Sequence, residues 1–174
     1  SIYHHYFASQ QPLASAISII DVRGDGHCGY YTLMLGLAHL NLFPSGITNV
    51  NDFRSNFVHQ ITQIPRNTLL QSLQPCFPSF ANNTLHEEVQ SASARIGEGS
   101  SWMDAYTDLP LASLIFRVRI TLFDITMPLT MPGKFSYIYH EGPPSEITSE
   151  IVQGCNLTQS DISLTLPTIL IVRT

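Results

Sequence analysis

The chain has 174 residues, of which 44% are hydrophobic and 12% are charged. This balance predicts a folded protein, because disordered chains are poor in apolar residues and rich in charge. The length suits one domain that spans residues 1–174. With a net charge of -5 and eight Lys and Arg residues, the composition argues against a nucleic-acid binder, which needs clustered positive charge.

The three cysteines are Cys28, Cys76 and Cys155. They form no CxxC pair and cannot all be bridged, so they signal neither a disulfide framework nor a zinc site. We therefore expect no metal, no cofactor and a reducing compartment. The sequence contains no run of 18 apolar residues and no charged segment followed by an apolar one, so it predicts neither a membrane span nor a signal peptide.

The first half of the chain predicts a strand and a helix. Residues 1–7 are rich in aromatic side chains, which is typical of a short strand. Residues 28–42 are apolar on nearly every face, which predicts a helix through the middle of a core. Pro44 and Gly46 should end that helix.

Two further helices follow from periodicity and from capping. Residues 53–64 carry apolar side chains at helical spacing, which predicts an amphipathic surface helix. Thr84 and Glu87 form a capping-box pattern, which predicts a helix that Gly97 closes.

The last third of the chain predicts one helix and three strands. Asp108 and Pro110 resemble a helix start. Residues 118–122 alternate with a period of two, and strands are also predicted at residues 135–140 and 168–173. The predicted architecture is α+β, with a small central β-sheet packed by helices.

Cys28 lies in a glycine-rich segment directly before the long apolar helix. A helix N-terminus contributes positive potential and unpaired N–H groups, which favour a thiolate. The same N–H groups can receive the negative oxygen that forms when a carbonyl is attacked. One turn could therefore supply a nucleophile and an oxyanion hole, although most lone cysteines are buried and inert.

Three segments resemble those of ovarian-tumour (OTU) cysteine proteases. DGHC at residues 25–28, followed by aromatic residues, resembles the family motif of Asp-Gly, a variable residue, Cys and an aromatic residue. SWMD at residues 101–104 is similar to the family's Trp-centred turn, although the usual glutamate before the next helical leucine is absent. LPTILI at residues 166–171 is similar to the family's late Pro-Ile-x-Leu strand.

The resemblance implies an OTU-like, papain-type fold and a deubiquitinase. Such an enzyme hydrolyses the isopeptide bond after the C-terminal glycine of ubiquitin through a thioester. Cys28 would be the nucleophile, and the amides of Asp25, Gly26 and His27 would build the oxyanion hole. Asp25 would shape this loop rather than titrate, and His27 fills the variable position.

The resemblance also implies the partners. Ubiquitin or polyubiquitin would bind through a narrow channel near Trp102, and Asp104 or Asp108 would receive the arginine in the ubiquitin tail. We expect a monomer that binds neither nucleic acid nor membrane. The divergence of the sequence suggests a bacterial or viral effector that acts in the cytoplasm of a host cell.

The general-base histidine departs from the family's order. In the family it follows the late strand in a His-aromatic pair, whereas here no histidine follows residue 171. His5 with Tyr6 resembles the absent pair, so we expect a circularly permuted order in which His5 is the base. His140 is the competitor in the conventional order, and His4 and His5 could instead be remnants of a purification tag or ordinary exposed residues.

The third member of the triad stays open. It would hold the far nitrogen of the histidine ring and fix its tautomer. Phe7 occupies the position that the family often uses and cannot do so. Asp21, Ser9 or an asparagine near the last strand could substitute, and the sequence does not choose among them.

Two other functions fit the same residues. One is a different cysteine acyl-transfer enzyme, such as a peptidase for a ubiquitin-like modifier or an amidase that does not act on ubiquitin. The other is a catalytically inactive ubiquitin-binding module, which the sequence would mimic if no histidine reached Cys28.

Overall fold

The computed structural model describes residues 22, 24–77, 79–124, 133–138, 148–153 and 168–173. Within these residues, five α-helices precede four β-strands. The helices are α1 (Cys28–His39), α2 (Val50–Gln63), α3 (Arg66–Leu73), α4 (Asn82–Glu98) and α5 (Ala105–Phe116), with a 3-10 turn at Gln74–Cys76. The strands are β1 (Arg119–Asp124), β2 (Gly133–Ile138), β3 (Thr148–Gln153) and β4 (Thr168–Arg173).

The four strands form one sheet in the order β3-β2-β1-β4. The pairs β1–β2 and β2–β3 are antiparallel, whereas β1 and β4 are parallel. In the parallel pair, Ile120 lies opposite Ile169 and Leu122 lies opposite Ile171, and all four side chains are buried. The predicted strand at residues 168–173 and the period of two at residues 118–122 are therefore confirmed.

The predicted α+β architecture around a central sheet needs correction. The described part of the chain is mainly helical, and most of its buried apolar side chains lie on helices, as Leu33, Phe53, Leu85 and Leu109 do. The sheet joins this helical body mainly through β4 against α1 and through β1 and β2 against α5. The sequence reading assigned residues 53–64 to the surface and missed α3, so it underestimated how much of the core the helices build.

Helix α1 differs from the predicted central helix in length and burial. It ends at His39, and its buried side chains form one stripe, Tyr30, Leu33 and Leu37. Leu35 on another face is 45% exposed, so the helix does not run through the middle of the core. Strand β4 packs on α1 at Gly36, where an added Cβ would lie 2.8 Å from two side-chain carbons of Ile169.

The ends of α4 and α5 also differ from their predicted positions. Helix α4 ends at Glu98 and is closed by Gly99, which has a φ of +83°, rather than by Gly97. The left-handed region favours glycine after a helix, and Gly99 adopts it. Helix α5 begins at Ala105, where the carboxylate of Asp104 accepts a hydrogen bond from the backbone N–H of Tyr106 at 3.1 Å.

Other organisational predictions have narrower outcomes. Strand β2 confirms a strand near residues 135–140, shifted by two residues. The strand predicted at residues 1–7 lies outside the described residues, and the single domain stays a prediction. Among the described helices, none combines the length and the apolar character needed to cross a bilayer.

Candidate active site

Asp25 shapes the loop that leads into α1. Its Oδ1 accepts a hydrogen bond from the backbone N–H of His27 at 3.1 Å, and its Oδ2 accepts one from the hydroxyl of Tyr31 at 3.4 Å. Gly26 has a φ of +91°, a conformation that side chains with a Cβ rarely adopt. Asp25 and Gly26 therefore turn the chain so that the helix begins at Cys28.

Cys28 is the first residue of α1 and is half-buried. The first amides of a helix have no partner within the helix, so those of Cys28 and Gly29 are candidate donors to an oxyanion. The predicted oxyanion hole included the amide of His27, but this N–H donates to Asp25 and is therefore occupied. The carbonyl oxygen of His27 accepts a hydrogen bond from the backbone N–H of Tyr31 at 3.0 Å, in the first turn of α1.

The turn that contains Trp102 lies beside the loop of residues 24–28, the Cys28 loop. A Cβ added to Gly26 would lie 3.9 Å from Nε1 of Trp102, whose side chain is 64% exposed. A Cβ added to Gly29 would lie 2.7 Å from Sδ and 2.9 Å from Cβ of Met103. The structure therefore brings together two segments that are more than 70 residues apart in the sequence.

The two acidic residues proposed for substrate binding lie in different environments. Asp104 is exposed and caps α5. The side chain of Asp108 is fully buried and forms an ion pair with Arg95, and it also accepts hydrogen bonds from the hydroxyl of Tyr30 at 3.3 Å and from the N–H of Asp104 at 3.0 Å. Asp108 is thus a core residue that fixes the start of α5, and Asp104 is the exposed candidate of the two.

Burial shifts the pKa values of Asp108 and of Tyr30, whose hydroxyl donates a hydrogen bond to it. Loss of solvent raises the pKa of Asp108 to about 6, against the opposing effect of the Arg95 guanidinium. Burial and the neighbouring Asp108 carboxylate raise the pKa of Tyr30 well above its ordinary value of 10. Both residues are buried and joined by a hydrogen bond, so their contact is shielded from solvent.

Arg54 is the residue near the site that sequence reasoning missed. Its side chain is 1% exposed, and its guanidinium contacts His27, the neighbour of Cys28. A signal was present, because Arg54 falls at helical spacing within the apolar stripe Val50, Phe57 and Ile61. An arginine on such a stripe is rarely buried without bonding partners, so its position predicts that such partners exist.

Several predicted residues lie outside the described part of the chain. They are His4, His5, Ser9, Asp21, His140 and Cys155. The identity of the base, the permuted order and the third triad member therefore stay predictions. Among the described histidines, His39 and His59 are exposed, and His86 bonds Arg66. Within the described residues, no group of three or more potential metal ligands comes together.

No protein-family model and no curated protein sequence matches the chain. A crystal structure of an OTU deubiquitinase from Wolbachia pipientis wMel is similar, with a TM-score of 0.53 over 90% of this chain and 82% of the other. The two sequences are 13% identical. At that identity the likeness establishes an OTU-like fold, and it does not extend to catalytic residues or to the order of the elements.

Proposed function

We propose that the chain is a cysteine-dependent deubiquitinase that hydrolyses the bond after the C-terminal glycine of ubiquitin. The observation that carries the proposal is the position of Cys28. It opens α1 directly after the loop that Asp25 and Gly26 shape, beside the turn that holds Trp102. The OTU-like fold supports the same reading, since the similar solved protein is described as an OTU deubiquitinase.

The reaction would proceed by two acyl transfers. The base histidine takes the proton of the Cys28 thiol, the resulting thiolate attacks the carbonyl carbon of the terminal glycine, and the oxygen becomes an oxyanion held by the first-turn amides of α1. When this intermediate collapses, the C–N bond breaks, a histidine gives its proton to the leaving lysine amine, and a thioester remains. Water then attacks the thioester, which releases the glycine carboxylate and restores the thiol.

The base would be His5, in the permuted order that the sequence suggests. His27 is adjacent to Cys28, but its Nδ1 is already engaged by Arg54 at 3.0 Å. This contact supports a base from another segment, and His140 is the conventional-order alternative.

Substrate binding would use the exposed face beside the nucleophile. Trp102 offers an exposed aromatic ring near Gly26, and Asp104, two residues later, offers an exposed carboxylate. An extended ubiquitin tail with two glycines and an arginine would need a narrow passage and an acidic partner, because glycines occupy little width and arginine pairs with a carboxylate.

The test is covalent capture by ubiquitin that carries a C-terminal electrophile. The intact mass should increase by one probe per chain, and peptide mapping should place the adduct on Cys28. Cys28→Ala should abolish the adduct and leave the fold unchanged, whereas Cys76→Ala and Cys155→Ala should react normally. Turnover of a ubiquitin-fluorophore substrate by Cys28→Ala would refute the assignment.

The same assay separates the base candidates and the alternative functions. His5→Ala should lower turnover by at least about 10²-fold, the lower bound for a general base, while His4→Ala and His140→Ala should change it far less. A loss confined to His140→Ala would restore the conventional order. Capture by a ubiquitin-like probe alone would indicate another modifier, and binding of ubiquitin without capture would indicate an inactive module.

A further inference from the structure

Arg54 is held rigidly at a helix end. Its Nε donates to the carbonyl oxygen of Ile96 at 2.8 Å, and its Nη2 donates to that of Arg95 at 2.9 Å. Both carbonyls belong to the last turn of α4, where they have no partner within the helix and where the helix dipole favours a positive charge. Arg54 therefore caps α4 with two of its donors.

The guanidinium is also fixed from the side of α1. Its Cζ lies 4.1 Å from the centroid of the Tyr30 ring, which is a cation–π distance. Within the described residues, Arg54 donates hydrogen bonds to two carbonyl oxygens and one ring nitrogen rather than to a carboxylate. A buried charge is costly unless it is hydrogen-bonded, so the contact with His27 adds to what keeps the guanidinium in place.

The third contact defines the chemical state of His27. Nη1 of Arg54 lies 3.0 Å from Nδ1 of His27. A guanidinium is always protonated in proteins and has donors but no acceptor. Nδ1 must then be the acceptor, and in the neutral ring the hydrogen resides on Nε2.

We propose that Arg54 is a positioning residue that holds His27 as the Nε2–H tautomer and thereby fixes the loop that presents Cys28. In this state one ring nitrogen of His27 accepts from Arg54 and the other carries a hydrogen, so neither can take the proton of Cys28. His27 is thus a part of the loop's support and is excluded as the general base. The expected effect on kcat rests on the proposed function, whereas the tautomer of His27 does not.

The first test is nitrogen-15 NMR of the histidine rings in the full chain. The Nδ1 of His27 should show the shift of an unprotonated nitrogen and Nε2 that of a protonated one, with the resonances assigned by loss in His27→Asn. An internal comparison is His86, whose Nε2 faces Nη1 of Arg66 at 2.7 Å on the surface, so its hydrogen should reside on Nδ1 instead. A hydrogen on Nδ1 of His27 would overturn the proposal, whether or not the chain cleaves ubiquitin.

The second test is turnover of a ubiquitin-fluorophore substrate by two variants of His27. His27→Asn keeps an acceptor oxygen for Arg54, whereas His27→Ala removes it. We expect kcat to stay within about threefold in His27→Asn and to fall about ten- to hundredfold in His27→Ala, with KM little changed, which corresponds to a hydrogen bond to a charged group. If His27→Asn lost as much as His27→Ala, the side chain would be acting as more than an acceptor and the proposal would fail.

Arg54→Lys addresses the partner directly. Lysine keeps the charge but lacks the planar fork, so it cannot bond both carbonyls and His27 together. We expect a loss of kcat that does not add to that of His27→Ala, because both changes break the same contact. Arg66→Gln, which breaks the exposed pair with His86, is the matched control and should have wild-type kinetics. Additive losses would contradict the proposal, and should Arg54→Lys not fold, the His27 pair of variants still decides.

Discussion

Gly29→Ala should destabilise the fold and impair the candidate site together. Gly29 is the second residue of α1, and an added Cβ would lie 2.7 Å from Sδ and 2.9 Å from Cβ of Met103. The sulfur could swing away, but the Cβ of Met103 is fixed to the backbone of the turn that holds Trp102. The methyl group must therefore displace this turn from the Cys28 loop.

The magnitude follows from two opposing effects. Replacing glycine by alanine in a helix gains about 0.5–1 kcal/mol. Inserting a methyl group into packed surroundings costs about 1–3 kcal/mol. Gly97→Ala is the matched control, because Gly97 lies in the last turn of α4 and its added Cβ would meet only Val58 Cγ2, at an ordinary 3.6 Å. The difference between the two variants should be about 1–3 kcal/mol, since the helical gain cancels.

Urea denaturation of both variants measures this difference. We expect Gly97→Ala to be slightly more stable than the wild-type chain and Gly29→Ala to be less stable, by up to about 2 kcal/mol. Capture of the ubiquitin probe should slow in Gly29→Ala and not in Gly97→Ala. Equal stability of the two variants, with unchanged capture, would show that Met103 does not pack on Gly29 and that our description of the site is incorrect.

The remaining predictions concern the two aspartates. The pKa of Asp108 is raised from 3.8 to about 6, so the folded state binds this proton more tightly and the free energy of unfolding should fall as pH rises from 4 to 6, by on the order of 3 kcal/mol. Asp108→Asn should lack that fall, so the difference in the free energy of unfolding between the wild-type chain and this variant, measured with urea, should shrink between pH 4 and pH 7. A difference that stays constant over this range would contradict the raised pKa. Asp104→Lys should raise the KM for a ubiquitin substrate, more at low salt than at high salt, whereas an unchanged KM at low salt would remove Asp104 from the binding face.

Local patterns predicted the parts of the structure that local chemistry decides. The glycines around Cys28 and the apolar run after it are enough to predict a helix start at that residue. The continuous apolar run at Thr168–Arg173 likewise predicted a buried strand. Both patterns depend on neighbours within a few residues, and such patterns require no knowledge of the rest of the fold.

Long-range pairing decided what the sequence did not predict. Asp108 looked like a surface carboxylate because its partners, Tyr30 and Arg95, lie on other helices. Arg54 was missed for the same reason, since the carbonyls that it bonds, those of Arg95 and Ile96, lie on another helix. The fold class was misjudged in a similar way, since periodicity marks an apolar face but does not tell which faces meet.

The sheet adds an argument on the order of the chain. Within the described residues, β4 pairs with β1 on one side and is at the edge of the sheet on the other. It also packs on Gly36, which is eight residues, or about 12 Å, along α1 from Cys28. A strand added at this edge would lie near the helix that carries the nucleophile, and the segment that contains His5 is the one predicted to do so. Arg54 engages the histidine next to Cys28, so a base from another segment stays the prediction that the His5 and His140 variants test.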